Sequence, residues 1–165
     1  VSYPLAPPSK TIPPATRERL ARLLGEYRRK PDALLTALYL VQADCNCLSD
    51  EILTEFAEIM EMPKSVIYEV TTFYSLYSTK PQGRNIILVC QNLCCFLRGT
   101  DELIMAISRE LGIKPGETTP DGLFTLRPCE CLAACERAPA LQINDRLMGP
   151  VSPADIPALL AEYRK

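Results

Sequence analysis

Six of the eight cysteines crowd into two short stretches, "VCQNLCC" at residues 89–95 and "CECLAAC" at 129–135. The first holds Cys90, Cys94 and Cys95, the second Cys129, Cys131 and Cys135. Thiolates are strong ligands for soft metals, so two such groups brought together could hold an iron–sulfur cluster or a structural zinc. The chain contains no histidine. That excludes Cys2His2 zinc, a Rieske centre, and every catalytic scheme built on an imidazole base.

Spacing narrows the chemistry. Zinc ribbons and thioredoxin-type dithiols favour C-x2-C, and no pair in this sequence has it. The wider C-x4-C and C-x3-C pairs suit the longer span of a two-iron cluster, with zinc as the rival. Which four of the six cysteines ligate is left open by spacing alone. Cys94 and Cys95 are adjacent, so their side chains point apart and one is a bystander. Cys129 reads equally well as a small buried apolar residue. Cys45 and Cys47 form an isolated C-x-C without a second pair nearby and read as non-ligands. Eight cysteines would also permit a disulfide framework, but those belong mainly to small secreted domains with thin cores.

Composition sets the remaining bounds. The 165 residues are 47% hydrophobic and 23% charged, enough to bury a core in one ordinary domain or two small ones. A net charge of −2 offers no electrostatic reason to expect nucleic acid or an anionic membrane surface. No apolar run approaches the roughly 20 residues of a membrane span. The opening "VSYPLAPPSKTIPPATRERL" lacks the charged-then-apolar layout of a secretory signal. There is no G-x-G-x-x-G and no phosphate-cradling loop, so nucleotide or flavin binding is not expected of this chain.

The elements that must position the cysteines follow from periodicity. Residues 1–13 are proline-rich and predict an extended leader. Leu20, Leu23, Leu24 and Tyr27 share one face of a helix over 16–29. "DALLTALYLVQ" predicts a second helix with Asp32 as its cap, and Ser49 caps a third with Ile52, Leu53, Phe56 and Ile59 inward. Pro63 opens a fourth, whose apolar set is Val66, Ile67, Val70, Phe73 and Tyr74. Four amphipathic helices with short connections predict a bundle over 14–82. Beyond it, "NIILVC" reads as a strand ending on Cys90, followed by a helix with Leu103, Ile104, Ile107 and Leu111, closed by Gly112. "LFTLRPC" and "ALQIN" read as strands, "NDR" as a hairpin turn, and Ser152, Pro153 and Asp155 as the start of a last helix. The fold class is therefore α+β: a helical bundle, then a small α/β domain over 83–165. Strand ends in such a layer are where two loops can meet.

The stretches "VCQNLCCFLRG" and "CECLAACERAPALQIN" together resemble the thioredoxin-like [2Fe–2S] ferredoxin subunit of the NADH-dehydrogenase module of respiratory complex I. "GIKPGETTPDGLF", "VTTFYSLY" and the bundle-first layout match the same family, so the resemblance covers nearly the whole chain. It implies a thioredoxin-like domain with a four-stranded sheet and one [2Fe–2S] cluster, with Cys90, Cys95, Cys131 and Cys135 as ligands. Two departures stand out: Ala133 sits where the family usually has glycine, so the backbone there must tolerate a Cβ or shift, and "ADCNCLSD" replaces a glycine-aromatic junction.

The resemblance further implies an electron-transfer subunit of NADH:quinone oxidoreductase. The enzyme activity would belong to the complex, with FMN and NADH on a partner flavoprotein and further iron–sulfur subunits beyond it. The expected location is cytoplasmic, peripheral on the inner face of a bacterial membrane. The same subunit type serves soluble NAD-linked hydrogenases and formate dehydrogenases. A structural zinc module and a thiol sensor using Cys94 or Cys129 are the rivals from other classes. Phe73, Tyr74 and Tyr77 lie close in sequence and are candidate anchors for the flavoprotein, since aromatics are enriched at interfaces. The leader is expected to lie along the same partner.

Overall fold

A computed structural model describes residues 7–164. The chain divides into two compact units, with the boundary between Gln82 and Gly83. Residues 1–6 of the expected leader lie outside the described residues.

The first unit contains four helices: α1 (Pro14–Gly25), α2 (Leu34–Cys45), α3 (Asp50–Met60) and α4 (Lys64–Phe73). Leu20, Leu38, Ile52, Phe56 and Ile67 form its core, with Cys45 buried among them. Ser49 caps α3 by accepting the Ile52 N–H, a contact that contributes about 1 kcal/mol. Pro63 precedes α4, where its missing N–H costs nothing.

One expectation about this unit is corrected. Asp32 caps no helix; it sits in a 3-10 turn (Lys30–Ala33) and accepts from the Arg29 guanidinium at 2.7 Å. On α4 only Ile67 and Thr71 are buried, while Val66, Phe73 and Tyr74 face solvent. A broad apolar stripe on a helix exceeds what one contact face can cover. Residues 9–12 are also fastened to the bundle. The Ser9 N–H donates to the Cys45 carbonyl, the Ile12 N–H donates to Glu55, and Ile12 is buried.

The second unit holds a four-stranded sheet in the order β2-β1-β3-β4, with β1 (Asn85–Cys90), β2 (Phe124–Cys129), β3 (Leu141–Ile143) and β4 (Arg146–Met148). β1 and β2 are parallel, with Cys90 opposite Cys129, and a parallel pair requires a crossover connection. That crossover carries the one-turn α5 (Leu93–Phe96) and α6 (Thr100–Leu111). β3 and β4 are antiparallel, joined at Asn144 and Asp145, with Asn144 in the left-handed region. α7 (Ile156–Tyr163) follows a turn in which the Ser152 N–H and hydroxyl both donate to Asp155. Ile87, Val89, Leu103, Ile107, Leu126, Ile156 and Leu160 close the core between sheet and helices. Pro128 lies in β2, an edge strand, where a missing donor is tolerated. No helix among the described residues is long and apolar enough to cross a membrane.

Candidate metal centre

Three pieces of the second unit converge at the C-terminal ends of β1 and β2. The first is Cys90 itself, held on the sheet because its N–H donates to the Ala140 carbonyl at 3.1 Å. Its own carbonyl accepts from the fully buried Thr100 hydroxyl at 2.8 Å, which ties the strand end to the first turn of α6.

The second is α5. Asn92 is extended, and its carboxamide accepts the Leu93 N–H at 2.9 Å, so the chain turns immediately after β1. Four residues give just over one turn, and Gly99 in the left-handed region ends it and admits α6. Side chains at 94 and 95 then diverge by about 100°. Cys95 is 2% exposed and faces Cys90, which is 4% exposed. Cys94 is exposed.

The third is the loop from Glu130 to Ala140. Ala133 is left-handed, with φ 54°, and so the backbone does tolerate the Cβ that the sequence places there. In that conformation the Ala133 N–H donates to the Cys131 sulfur at 3.2 Å. A 3-10 turn follows at Cys135–Arg137. Gly149 packs on this turn so closely that an added Cβ would stand 2.1 Å from the Arg137 carbonyl oxygen. The Gln91 carboxamide donates to Glu130 at 3.0 Å, linking the first and third pieces across the site.

Around the thiols the walls are small and apolar. Cys90 and Cys95 pack with Ala134, Ala138 and Ala140, with Leu132 beside them. Burial pushes the Cys95 thiol up; the backbone of Ala140 pulls the other way, and neighbouring Cys90 adds to the rise. The Cys135 thiol is raised, chiefly by neighbouring Cys94, with Cys131 and Cys90 adding to the rise. Burial raises Cys129 to about 11, with Cys90 and Cys131 contributing. Among the described residues no three His, Cys, Asp or Glu side chains close round a single ion; Cys90 and Cys95 pack together.

Cys45 and Cys47 stand apart from this arrangement, buried in the first unit, with Cys45 raised to about 12 mainly by burial. Of the three aromatic residues expected at an interface, Phe73 is 79% exposed and Tyr74 is exposed, but Tyr77 is buried and donates its hydroxyl to the Leu35 carbonyl at 2.8 Å. Sequence reasoning missed Thr100, the small alanines and Gly149. The run "CLAAC" followed by "APA" carried a signal for the alanines, since small residues on both sides of a ligand pair leave room for a bulky group.

The profile of the family described as thioredoxin-like [2Fe–2S] ferredoxin matches residues 20–164. The chain is 38% identical over 148 residues to an NADH-quinone oxidoreductase subunit of Rhizobium meliloti (strain 1021), covering 90% of this chain and 88% of that protein. It is 29% identical over 157 residues to an NADP-reducing hydrogenase subunit, HndA, of Solidesulfovibrio fructosivorans, covering 95% and 92%. Among solved structures, NAD+-reducing [NiFe]-hydrogenase in the H2-reduced state superimposes with a TM-score of 0.70 at 25% identity. That match covers 84% of this chain but spans only 23% of the hydrogenase chain.

Proposed function

The chain belongs to the thioredoxin-like [2Fe–2S] ferredoxin family, and on that premise we propose that it is the iron–sulfur electron-transfer subunit of an NADH-quinone oxidoreductase. Cys90, Cys95, Cys131 and Cys135 are its ligands in this reading. The observation that carries it is the convergence of the β1 end, α5 and the 130–140 loop on one alanine-walled site lined with thiols. When bound, the cluster supplies one-electron transfer.

The chain's own residues do the rest. Cys90 and Cys95 are the inner, water-shielded pair, and Cys131 and Cys135 the outer, exposed pair. The Ala133 N–H on the Cys131 sulfur stabilises negative charge there, and such bonds raise a reduction potential. Thr100 and Gln91 fix the loops to the sheet so that the ligand pairs keep their separation.

NADH oxidation belongs, in this reading, to a partner flavoprotein that carries FMN, and further iron–sulfur subunits follow it. The chain sits peripherally at the cytoplasmic face of a bacterial inner membrane, attached through that complex. Similarity to the hydrogenase subunit and to the solved NAD+-reducing hydrogenase favours a second reading, the corresponding subunit of a soluble NAD-linked hydrogenase. Mild purification of the tagged chain from its own cells tests the choice. A co-purifying flavoprotein with NADH-dependent quinone reduction supports the first reading. Hydrogen-dependent NAD+ reduction without quinone activity replaces it with the second.

A further inference from the structure

Ala138 and Ala140 stand where the room beside the thiols is decided. Ala140 immediately precedes β3 and continues its register with β1, so it lies opposite Cys90, and its carbonyl accepts the Cys90 N–H at 3.1 Å. Residues opposite one another on antiparallel strands put their side chains on one face of the sheet, with Cβ atoms about 4.5–5.5 Å apart. Ala140 is fully buried there, packed with Cys90, Cys95 and Ala138. This segment has no freedom to step back for a larger side chain. The Ala138 N–H donates to the Cys135 carbonyl at 3.3 Å, and the Pro139 carbonyl accepts the Val151 N–H at 3.1 Å. With Ala140 held by Cys90, the backbone is pinned at successive residues, and a carbon added to either alanine goes toward the thiols.

We propose that Ala138 and Ala140 are specificity-determining residues of the metal centre: their small size admits a two-iron cluster, and larger side chains there leave room only for a single zinc ion. The proposal rests on the reading of Cys90, Cys95, Cys131 and Cys135 as ligands. Four thiolates hold either group, so the cysteines alone do not choose. A single ion needs only the space at the centre of its ligands, about 2.3 Å from each sulfur. A cluster brings a second iron and bridging sulfides into the same surroundings. Protein interiors are packed without spare volume, so the methyl groups that valine adds to alanine compete with the larger group first.

The test uses the full chain as wild type, Ala138→Val, Ala140→Val and Ala140→Gly. Each is freed of metal under reducing conditions, then loaded anaerobically with iron and sulfide or, separately, with zinc. Visible absorption with iron and sulfide analysis reads the cluster, bound zinc is measured after gel filtration, and far-UV circular dichroism reports folding. Ala140→Gly is expected to take up cluster as wild type does. The valine variants are expected to hold roughly tenfold less cluster while binding zinc like wild type. Full cluster uptake by the valine variants overturns the proposal. So does equal loss of cluster and zinc in a folded valine variant, which would make the alanines packing for the loop alone. Should valine prevent folding, Ala140→Ser decides: it should release its cluster to a chelator faster than Ala140→Gly, and its zinc no faster. Equal cluster release by the two would overturn the proposal. A wild type that binds zinc and no cluster sinks the ligand reading itself, and the selection falls with it.

Discussion

The backbone N–H of Ala133 meets the sulfur of Cys131 at 3.2 Å, and it does so only because Ala133 is left-handed, with φ 54°. A Cβ in that region costs about 1–2 kcal/mol. Ala133→Gly removes this strain but loosens the unfolded chain by about 0.4–1 kcal/mol, so a net stabilisation of up to roughly 1.5 kcal/mol is expected. Ala133→Val, β-branched, should instead destabilise by at least about 1 kcal/mol. Thermal unfolding of the three chains checks the order Gly, Ala, Val; equal stability of Val and Gly would contradict a left-handed residue 133.

Gly149 and Arg137 provide a second test. A methyl group at 149 would overlap the Arg137 carbonyl oxygen, which is backbone and cannot step aside cheaply. Gly149→Ala should cost roughly 3 kcal/mol and, by displacing the turn that begins at Cys135, make the cluster more easily lost to a chelator.

Thr100 is expected to matter through one hydrogen bond. Thr100→Val keeps the shape but leaves the Cys90 carbonyl without its buried donor, a loss of about 1–3 kcal/mol. Thr100→Ser keeps the hydroxyl and should recover most of it in the same denaturant titration.

Much of this arrangement was legible from residue order. The strand ending on Cys90, α6 with its Gly112 stop, the Asn144–Asp145 turn and the Ser152 cap all stand where periodicity and turn chemistry predict. What escaped has physical reasons. α5 is shorter than two helical turns, so it leaves no repeat to detect. On α4 the apolar residues at helical spacing outnumber those one face can bury, and spacing cannot say which stay out. Tyr77 lies in an irregular segment, where only the tertiary partner, the Leu35 carbonyl, reveals that it is core. Hydrogen bonds between distant segments, such as Thr100 to Cys90, have no sequence signature.

That division between exposed and buried aromatics makes its own prediction. Tyr77→Phe removes a buried hydrogen bond and should destabilise the first unit by about 1 kcal/mol. Phe73→Ser should change stability by no more than about 0.5 kcal/mol yet weaken co-purification with the flavoprotein, for which Phe73 and Tyr74 are proposed anchors. Undiminished pull-down by a chain altered to Ser at both 73 and 74 would remove the first unit's proposed docking role.

The central claim is that Cys90, Cys95, Cys131 and Cys135 hold a two-iron cluster. Visible absorption of eight single Cys→Ala variants, each reconstituted anaerobically with iron and sulfide, tests it most directly. The account predicts a red-brown wild type, a lost or gravely weakened spectrum at those four positions, and a nearly intact one at Cys45, Cys47, Cys94 and Cys129. A colourless wild type that binds only zinc, or a spectrum lost in Cys94→Ala and kept in Cys95→Ala, would contradict it.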